Sequence, residues 1–328
     1  MISEALERPL ASWKGKEYYQ GEILSTLTII LKTTGCSWNR CLMCGYRHER
    51  FPTGSASEMS ALISRQIAWV KDSYQDTEYQ LVKIFTSGSF FDTREVPPDA
   101  RDRVAEAFRG KLVVAETRPE FVHEDTVSAF LEIIDDGSWN QPLYVAMGLE
   151  TTDDHIREKC IDKGFSFDDF CTAAQHARKG GAGVKAYLLM KPLFLTEKEA
   201  IDDMNRSIRE ASVVSDIISM NPCTVQNRTE LEYYWKKGAY RPPYLWSVIH
   251  VLAHAPLHVL CDPVGGGHAR GPHNCGRCDR GMVDAIRDYT LTKDKDLLFA
   301  MLNEECECRN EWEFVLQSEM PWCMPLTR

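Results

Sequence analysis

Hydrophobic and polar positions between residues 25 and 222 switch repeatedly between two periods. Short apolar runs read as strands: LTIILK at Leu27–Lys32, LVKIFTSG at Leu81–Gly88, KLVVAET at Lys111–Thr117, LYVAMGLE at Leu143–Glu150, GVKAYLLM at Gly183–Met190 and DIISMNP at Asp216–Pro222. Between them the pattern turns helical. MSALISRQIAWVKDSY places Met59, Ile63, Ile67 and Val70 along one face. PPDARDRVAEAFRG opens with prolines, which a first turn tolerates, and stops at Gly110. HEDTVSAFLEIIDD carries its acids in the first turn, where the helix dipole favours them. SFDDFCTAAQHARKGG starts at Ser166 and ends in glycine, and TEKEAIDDMNRSIREAS adds a fifth helix. Strands alternating with helices predict a parallel sheet covered by helices. The expected fold is α/β, a partial (β/α)6 TIM-like barrel, with functional groups at the C-terminal ends of its strands.

The pattern changes at Cys223, after which aromatics, Pro, Gly and further cysteines dominate. Three regions are expected: an N-terminal extension over 1–24, the barrel over 25–222 and a cysteine-rich extension over 223–328, poor in regular core. Composition alters this picture little. With 44% hydrophobic and 26% charged residues, the chain has the means to bury a sizeable core. Charge excludes more. A net charge of −10 does not suit a self-sufficient nucleic-acid binder, which needs clustered Lys and Arg. Lys179, Lys185 and Lys191 are the candidate basic patch, and they read more readily as solvated lysines. No apolar run approaches a membrane span, and the N-terminus lacks an apolar signal region, so a cytoplasmic, reducing location is expected. The twelve cysteines are then metal ligands or small buried hydrophobes rather than disulfides.

Three of them, Cys36, Cys41 and Cys44, fall in TTGCSWNRCLMCGY directly after the first strand. Three thiolates leave one coordination place open. They suit either an iron–sulfur cluster with a free iron or a three-ligand zinc, and a bare surface cluster is the bland alternative. Polar groups recur at the other strand ends. Ser87 and Gly88 follow the second strand, Glu116 and Arg118 the third, and Glu150 the fourth. Each alone reads equally as a turn or a structural ion pair. Together on one barrel face they read as a site. In the tail, a CxxC (Cys275, Cys278) and a CxC (Cys306, Cys308) stand about thirty residues apart, the spacing of a structural zinc site. Cys261 and His273 are substitute ligands, and a second iron–sulfur cluster is the runner-up. GGGHARG reads as a flexible loop near substrate. Cys160, Cys171 and Cys323 have no partners at ligand spacing, and the first two are read as buried hydrophobes.

The three-cysteine loop on a β/α barrel resembles the radical S-adenosylmethionine (SAM) superfamily, although its CX4CX2C spacing is one residue longer than the usual first gap. TTGCSWNRCLMCGY, ETRPE, GLET, MKPLFLTEKEA, NPCTVQNRTELE, CDPVGGGHARGPHNC and CECRNEW together resemble the archaeal radical SAM proteins of archaeosine formation, the RaSEA group. That group is similar to the barrel of the Elongator catalytic subunit. The resemblance implies that Cys36, Cys41 and Cys44 hold a [4Fe–4S] cluster whose fourth iron chelates SAM. Ser87, Gly88, Glu116, Arg118, Glu150 and Lys191 would then position cofactor or substrate. It also implies a tRNA substrate whose 7-deazaguanine base carries lysine, added by a lysine-transferring archaeosine synthase. A carbon–nitrogen bond of that adduct is broken to leave the formamidine. Other readings are a radical SAM enzyme acting on another tRNA base or small molecule, and a zinc-binding scaffold without catalysis.

Overall fold

The computed structural model describes residues 7–51 and 54–321. Eight strands form one open sheet in simple sequential order. They are β1 (Ala11–Tyr19), β2 (Glu22–Ile30), β3 (Leu81–Phe85), β4 (Leu112–Thr117), β5 (Leu143–Glu150), β6 (Gly183–Met190), β7 (Ile217–Pro222) and β8 (Val259–Cys261). β1 runs antiparallel to β2, and β2 to β5 pair in parallel, as do β7 and β8. All six expected strands are present. The crossovers carry α1 (Ala56–Ser73), α2 (Pro98–Ala107), α3 (Glu124–Ile134), α4 (Phe167–Lys179) and α5 (Glu197–Val214). α1 starts where the Ser55 hydroxyl accepts from the Glu58 N–H, and α5 starts on a Thr196–Glu199 capping box.

Sequential strand order and right-handed crossovers place α1 to α4 on the same face. The strand residues turned toward them are apolar and fully buried, as at Val82 and Ile84, Val113 and Ala115, Val145 and Met147. The opposite face carries different chemistry. Glu17 on β1 accepts from Lys185 on β6 at 2.7 Å, and the Tyr144 hydroxyl on β5 stands 3.4 Å from that of Tyr19 on β1. A flat sheet, at ~4.8 Å per strand, would hold β1 and β6 roughly 24 Å apart. From β1 to the start of β6 the sheet is therefore curled, with this face concave, as a partial barrel requires.

By packing, Met1–Asn39, Tyr46–Gly148 and Asp168–Lys185 form one compact unit, and Arg40–Gly45, Leu149–Phe167 and Ala186–Arg328 a second. The first holds β1 to β4, most of β5 and the start of β6. The second holds β7, β8 and the helices α6 (Glu230–Lys236), α7 (Leu245–His254), α8 (Asp279–Thr292), α9 (Lys295–Leu302) and α10 (Cys308–Ser318).

Three features depart from the sequence reading. β1 lies within the supposed N-terminal extension and pairs with β2 over Ala11 to Tyr19. β8 continues the sheet past residue 222. The region after Cys223 is largely helical and has its own core, in which Trp246, Val248, Ile249 and Leu252 of α7 are fully buried. No helix of the described residues is long and apolar enough to cross a membrane. Cys160 is buried, Cys171 is half-buried, and Cys323 lies outside the described residues.

Lys185 and Lys191, read as solvated, are instead buried and ion-paired, so 179–191 is no basic patch. Lys185 shares Glu17 with Lys83, whose Nζ is 2.6 Å from the other carboxylate oxygen. Burial alone would raise the Glu17 pKa, but Lys185 and Lys83 outweigh it and hold the group at about 2. Glu17→Gln strands two inward-facing ammonium groups and is expected to destabilise the protein by about 3–5 kcal/mol at neutral pH. A depressed carboxylate pKa stabilises above the unfolded value and is lost as pH falls through the folded one. Urea unfolding should therefore show the gap between wild type and variant narrowing from pH ~5 toward ~2. A gap that stays constant over that range would refute the assignment.

Candidate functional site

The loop after β2 is built around glycine. Gly35 takes φ +83°, and the carbonyl of the next residue, Cys36, accepts from Arg50 at 2.9 Å. Glu95, almost fully buried, ties this loop to the one after β3: one oxygen takes the Thr33 hydroxyl and the other the Ser89 N–H. Desolvation raises its pKa, against hydrogen bonds that lower it. Gly88 lies in this junction. A Cβ there would stand 2.4 Å from Cys36 Cα and 2.7 Å from Cys36 N, closer than any side chain can approach. Gly88 is therefore what lets the two loops touch.

Ser87 is buried, and its hydroxyl has no hydrogen-bond partner among the described residues. A polar atom so placed needs a partner, and an ammonium or carboxylate group brought to this loop would supply one. The Phe90 N–H donates to the Glu116 carbonyl at 2.9 Å, and the Arg118 N–H to Ser89 Oγ at 3.1 Å. The guanidinium of Arg118 pairs with Glu120 at 2.5 Å and lies 5.4 Å from the centroid of the Trp38 ring, within the cysteine loop. These residues all belong to the first unit.

In the second unit, Cys41 is buried and Cys44 half-buried, with the Cys44 N–H 3.2 Å from the Cys41 carbonyl. Their segment is anchored at both ends: Leu42 exchanges backbone hydrogen bonds with Ile161 and Leu231, and the Gly45 N–H donates to Gln226. Glu150, at φ +68°, pairs with Lys163 at 2.5 Å. Lys191, at φ +61°, pairs with the fully buried Glu197 at 2.6 Å. Both predicted positioning residues thus have protein partners. GGGHARG is not loose. Arg270 fastens it to Val225 through backbone and side chain, bonds Glu232 at 2.6 Å and covers the Trp235 ring.

The tail cysteines converge. The four Sγ atoms of Cys275, Cys278, Cys306 and Cys308 lie within 4.8 Å of one another, with separations of 3.8, 3.7, 3.6 and 3.3 Å between successive neighbours. Tetrahedral thiolates ~2.3 Å from one zinc stand ~3.8 Å apart. Ligands on four separate irons stand much farther apart, so the geometry suits one ion rather than a second cluster. Cys278 caps α8 and Cys308 opens α10, where helix N-termini favour thiolate. Burial pushes the Cys278 thiol up to about 11 and the Cys308 thiol higher still. At Cys275 burial acts the same way, but the N–H groups of Cys278 and Arg277 and the neighbouring thiols prevail and lower it to about 6. Cys261 and His273 are not in the group. Cys261 sits in β8 bonded to Thr290, and His273 Nδ1 is 2.8 Å from the Gly271 carbonyl.

Sequence reasoning passed over Glu95, Trp38, Glu17 and Lys83, and it read Lys185 as solvated. The lysines left a signal: in LVKIF and GVKAY a single cation interrupts an otherwise uncharged strand.

No protein-family model matches the chain. It is 43% identical over 326 residues to a Methanosarcina acetivorans protein named archaeosine synthase subunit beta, spanning 95% of this chain and 90% of that one. It is 36% identical over 324 residues to the archaeosine synthase subunit beta of Thermococcus kodakarensis, spanning 93% and 96%. Of solved structures, that of methylornithine synthase aligns at a TM-score of 0.52 with 18% identity, over 74% of this chain and 66% of that one. That likeness is one of fold.

Proposed function

The chain belongs to the archaeosine synthase subunit beta family, and on that premise we propose that it is a radical SAM enzyme of tRNA modification. It acts on a 7-deazaguanine base carrying a lysine adduct and breaks a carbon–nitrogen bond to leave the formamidine of archaeosine. The observation that carries this reading is the 43% identity to a named relative over 95% of the chain. The CX4CX2C loop inside the matched length supports it.

In this reading Cys36, Cys41 and Cys44 hold three irons of a [4Fe–4S] cluster. Cys36 begins a loop seated on Gly88, while Cys41 and Cys44 are fixed by backbone bonds to their own unit. The unpartnered Ser87 hydroxyl and the absence of a side chain at Gly88 suit the amino-acid end of SAM. Glu116 would take ribose hydroxyls. Arg118, held over Trp38, gives a directed cation. Glu150 and Lys191 position by way of Lys163 and Glu197. When bound, cluster and SAM supply one-electron sulfonium cleavage and a hydrogen-abstracting radical; the protein supplies orientation and exclusion of water. The tail thiolates hold a structural zinc. At a net charge of −10, the chain leaves much of the tRNA grip to a lysine-transferring partner subunit. The work is cytoplasmic.

The test is anaerobic reconstitution followed by turnover on lysyl-adduct tRNA, with and without the partner. About four irons, four sulfides and one zinc per chain are expected, with adduct converted to formamidine. SAM cleavage with an unchanged base would leave a radical SAM enzyme of another substrate. Colourless protein with zinc alone would leave a scaffold.

A further inference from the structure

The concave face carries a charged group that the proposed cofactor does not use. Both carboxylate oxygens of Glu17 are taken by lysines, at 2.6 Å by Lys83 and 2.7 Å by Lys185. Two lysines thus share one carboxylate. Burial lowers the Lys185 pKa, with Glu17 and then Glu116, nearer the strand ends, acting the other way. Lys185 has 3% of its side chain exposed and Lys83 20%, so Lys83 is the more accessible of the two cations. Its register partner on β2 is Thr28. Partners in register share a face ~4.8 Å apart. Thr28 is 1% exposed, and its hydroxyl has no partner among the described residues. A bound ammonium beside a buried, unanswered hydroxyl is a donor pair matched to a carboxylate oxygen.

Depth selects the ligand. Lys83 lies three residue steps below Thr86 at the rim, a drop of about 10 Å at strand rise. A nucleoside within tRNA cannot follow its own base that far; only a thin appendage at its distal end can. A lysine adduct is such an appendage; joined through its side-chain amine, it would carry its carboxylate at the far end of an alkyl chain.

We propose that Lys83, oriented by Glu17 and flanked by Thr28, binds the carboxylate of the amino-acid adduct that enters the concave face. The inference rests on the substrate reading above, and its test separates the two. Holoenzyme is titrated with tRNA carrying the lysyl adduct and with the same tRNA carrying the decarboxylated diamine, and both are followed for turnover. Wild type should prefer the carboxylate form by about 10- to 100-fold in Kd. Lys83→Met should erase that preference by weakening the lysyl form alone, and Lys83→Arg should keep most of it. Thr28→Val, near-isosteric, should reduce the preference without lowering the melting midpoint. Equal affinity of wild type for the two tRNAs, or an equal loss on both in Lys83→Met, overturns the site. If the preference and its loss hold but neither base is converted, the site stands and the reaction reading falls. If conversion proceeds without preference, the reverse follows.

Discussion

Gly88→Ala should cost the protein its iron. The added methyl would lie 2.4 Å from Cys36 Cα, 2.7 Å from Cys36 N and 2.4 Å from a Glu95 oxygen. Two of those atoms are backbone and the third belongs to a carboxylate already bonded to Thr33 and Ser89, so none can yield cheaply. Relief requires the Cys36 loop to lift away, which carries its thiolate off the proposed cluster. A misplacement of about an ångström at a reacting centre costs on the order of 100-fold in rate, and a lost ligand costs more. Iron content, the broad absorption near ~400 nm expected of a thiolate-held cluster, and SAM cleavage should all fall together. The control is Gly281→Ala within α8, where the new methyl meets only the Met301 sulfur at 3.7 Å. There a helical glycine is replaced by a better helix former, and stability should rise by about 0.5–1 kcal/mol with iron unchanged. Full iron in Gly88→Ala would show that the two loops need not touch.

What sequence made legible follows from which face of each strand is buried. β3 to β7 were readable because their helix-facing residues are apolar without a break, as at Val82 and Ile84. β1 gave no such run. Lys14, Gly15 and Lys16 are exposed and its buried residues, Glu17 and Tyr19, look into the concave face, so neither period registers. β8 is three residues long. α7 is buried nearly all round, and a helix without a polar face has no periodicity to detect. The tail thiols were readable in pairs, because CxxC and CxC bring two sulfurs together locally; that the pairs meet depends on α8 and α9 folding back between them. The strand-end residues were readable as polar but not as paired. Glu150 and Lys191 meet Lys163 and Glu197 through irregular backbone, where no period predicts contact.

The tail site makes the second large prediction. Cys308→Ser should release zinc and unfold the C-terminal helices while the sheet persists. Cys308 is buried, with Sγ atoms of Cys306 and Cys278 at 3.3 and 3.6 Å, and the Trp246 ring N–H donates to it at 3.3 Å. Trp246 in turn stacks on Trp312, whose ring N–H bonds Ser247, so the sulfur is continuous with the core that joins α7 to α10. The raised Cys278 and Cys308 thiols hold protons without metal, and binding must displace them, which is why the ion's affinity becomes folding energy. A structural zinc contributes on the order of 10 kcal/mol to a small module, more than these short helices can replace by propensity. Hydrogen exchange should show α8 and α10 losing protection in the variant, and in wild type stripped by chelator, while β3 and β4 keep theirs. Protection that survives complete removal of zinc would mean that Trp246, Trp312 and their neighbours hold the tail together unaided, and that the four thiols serve something other than its stability.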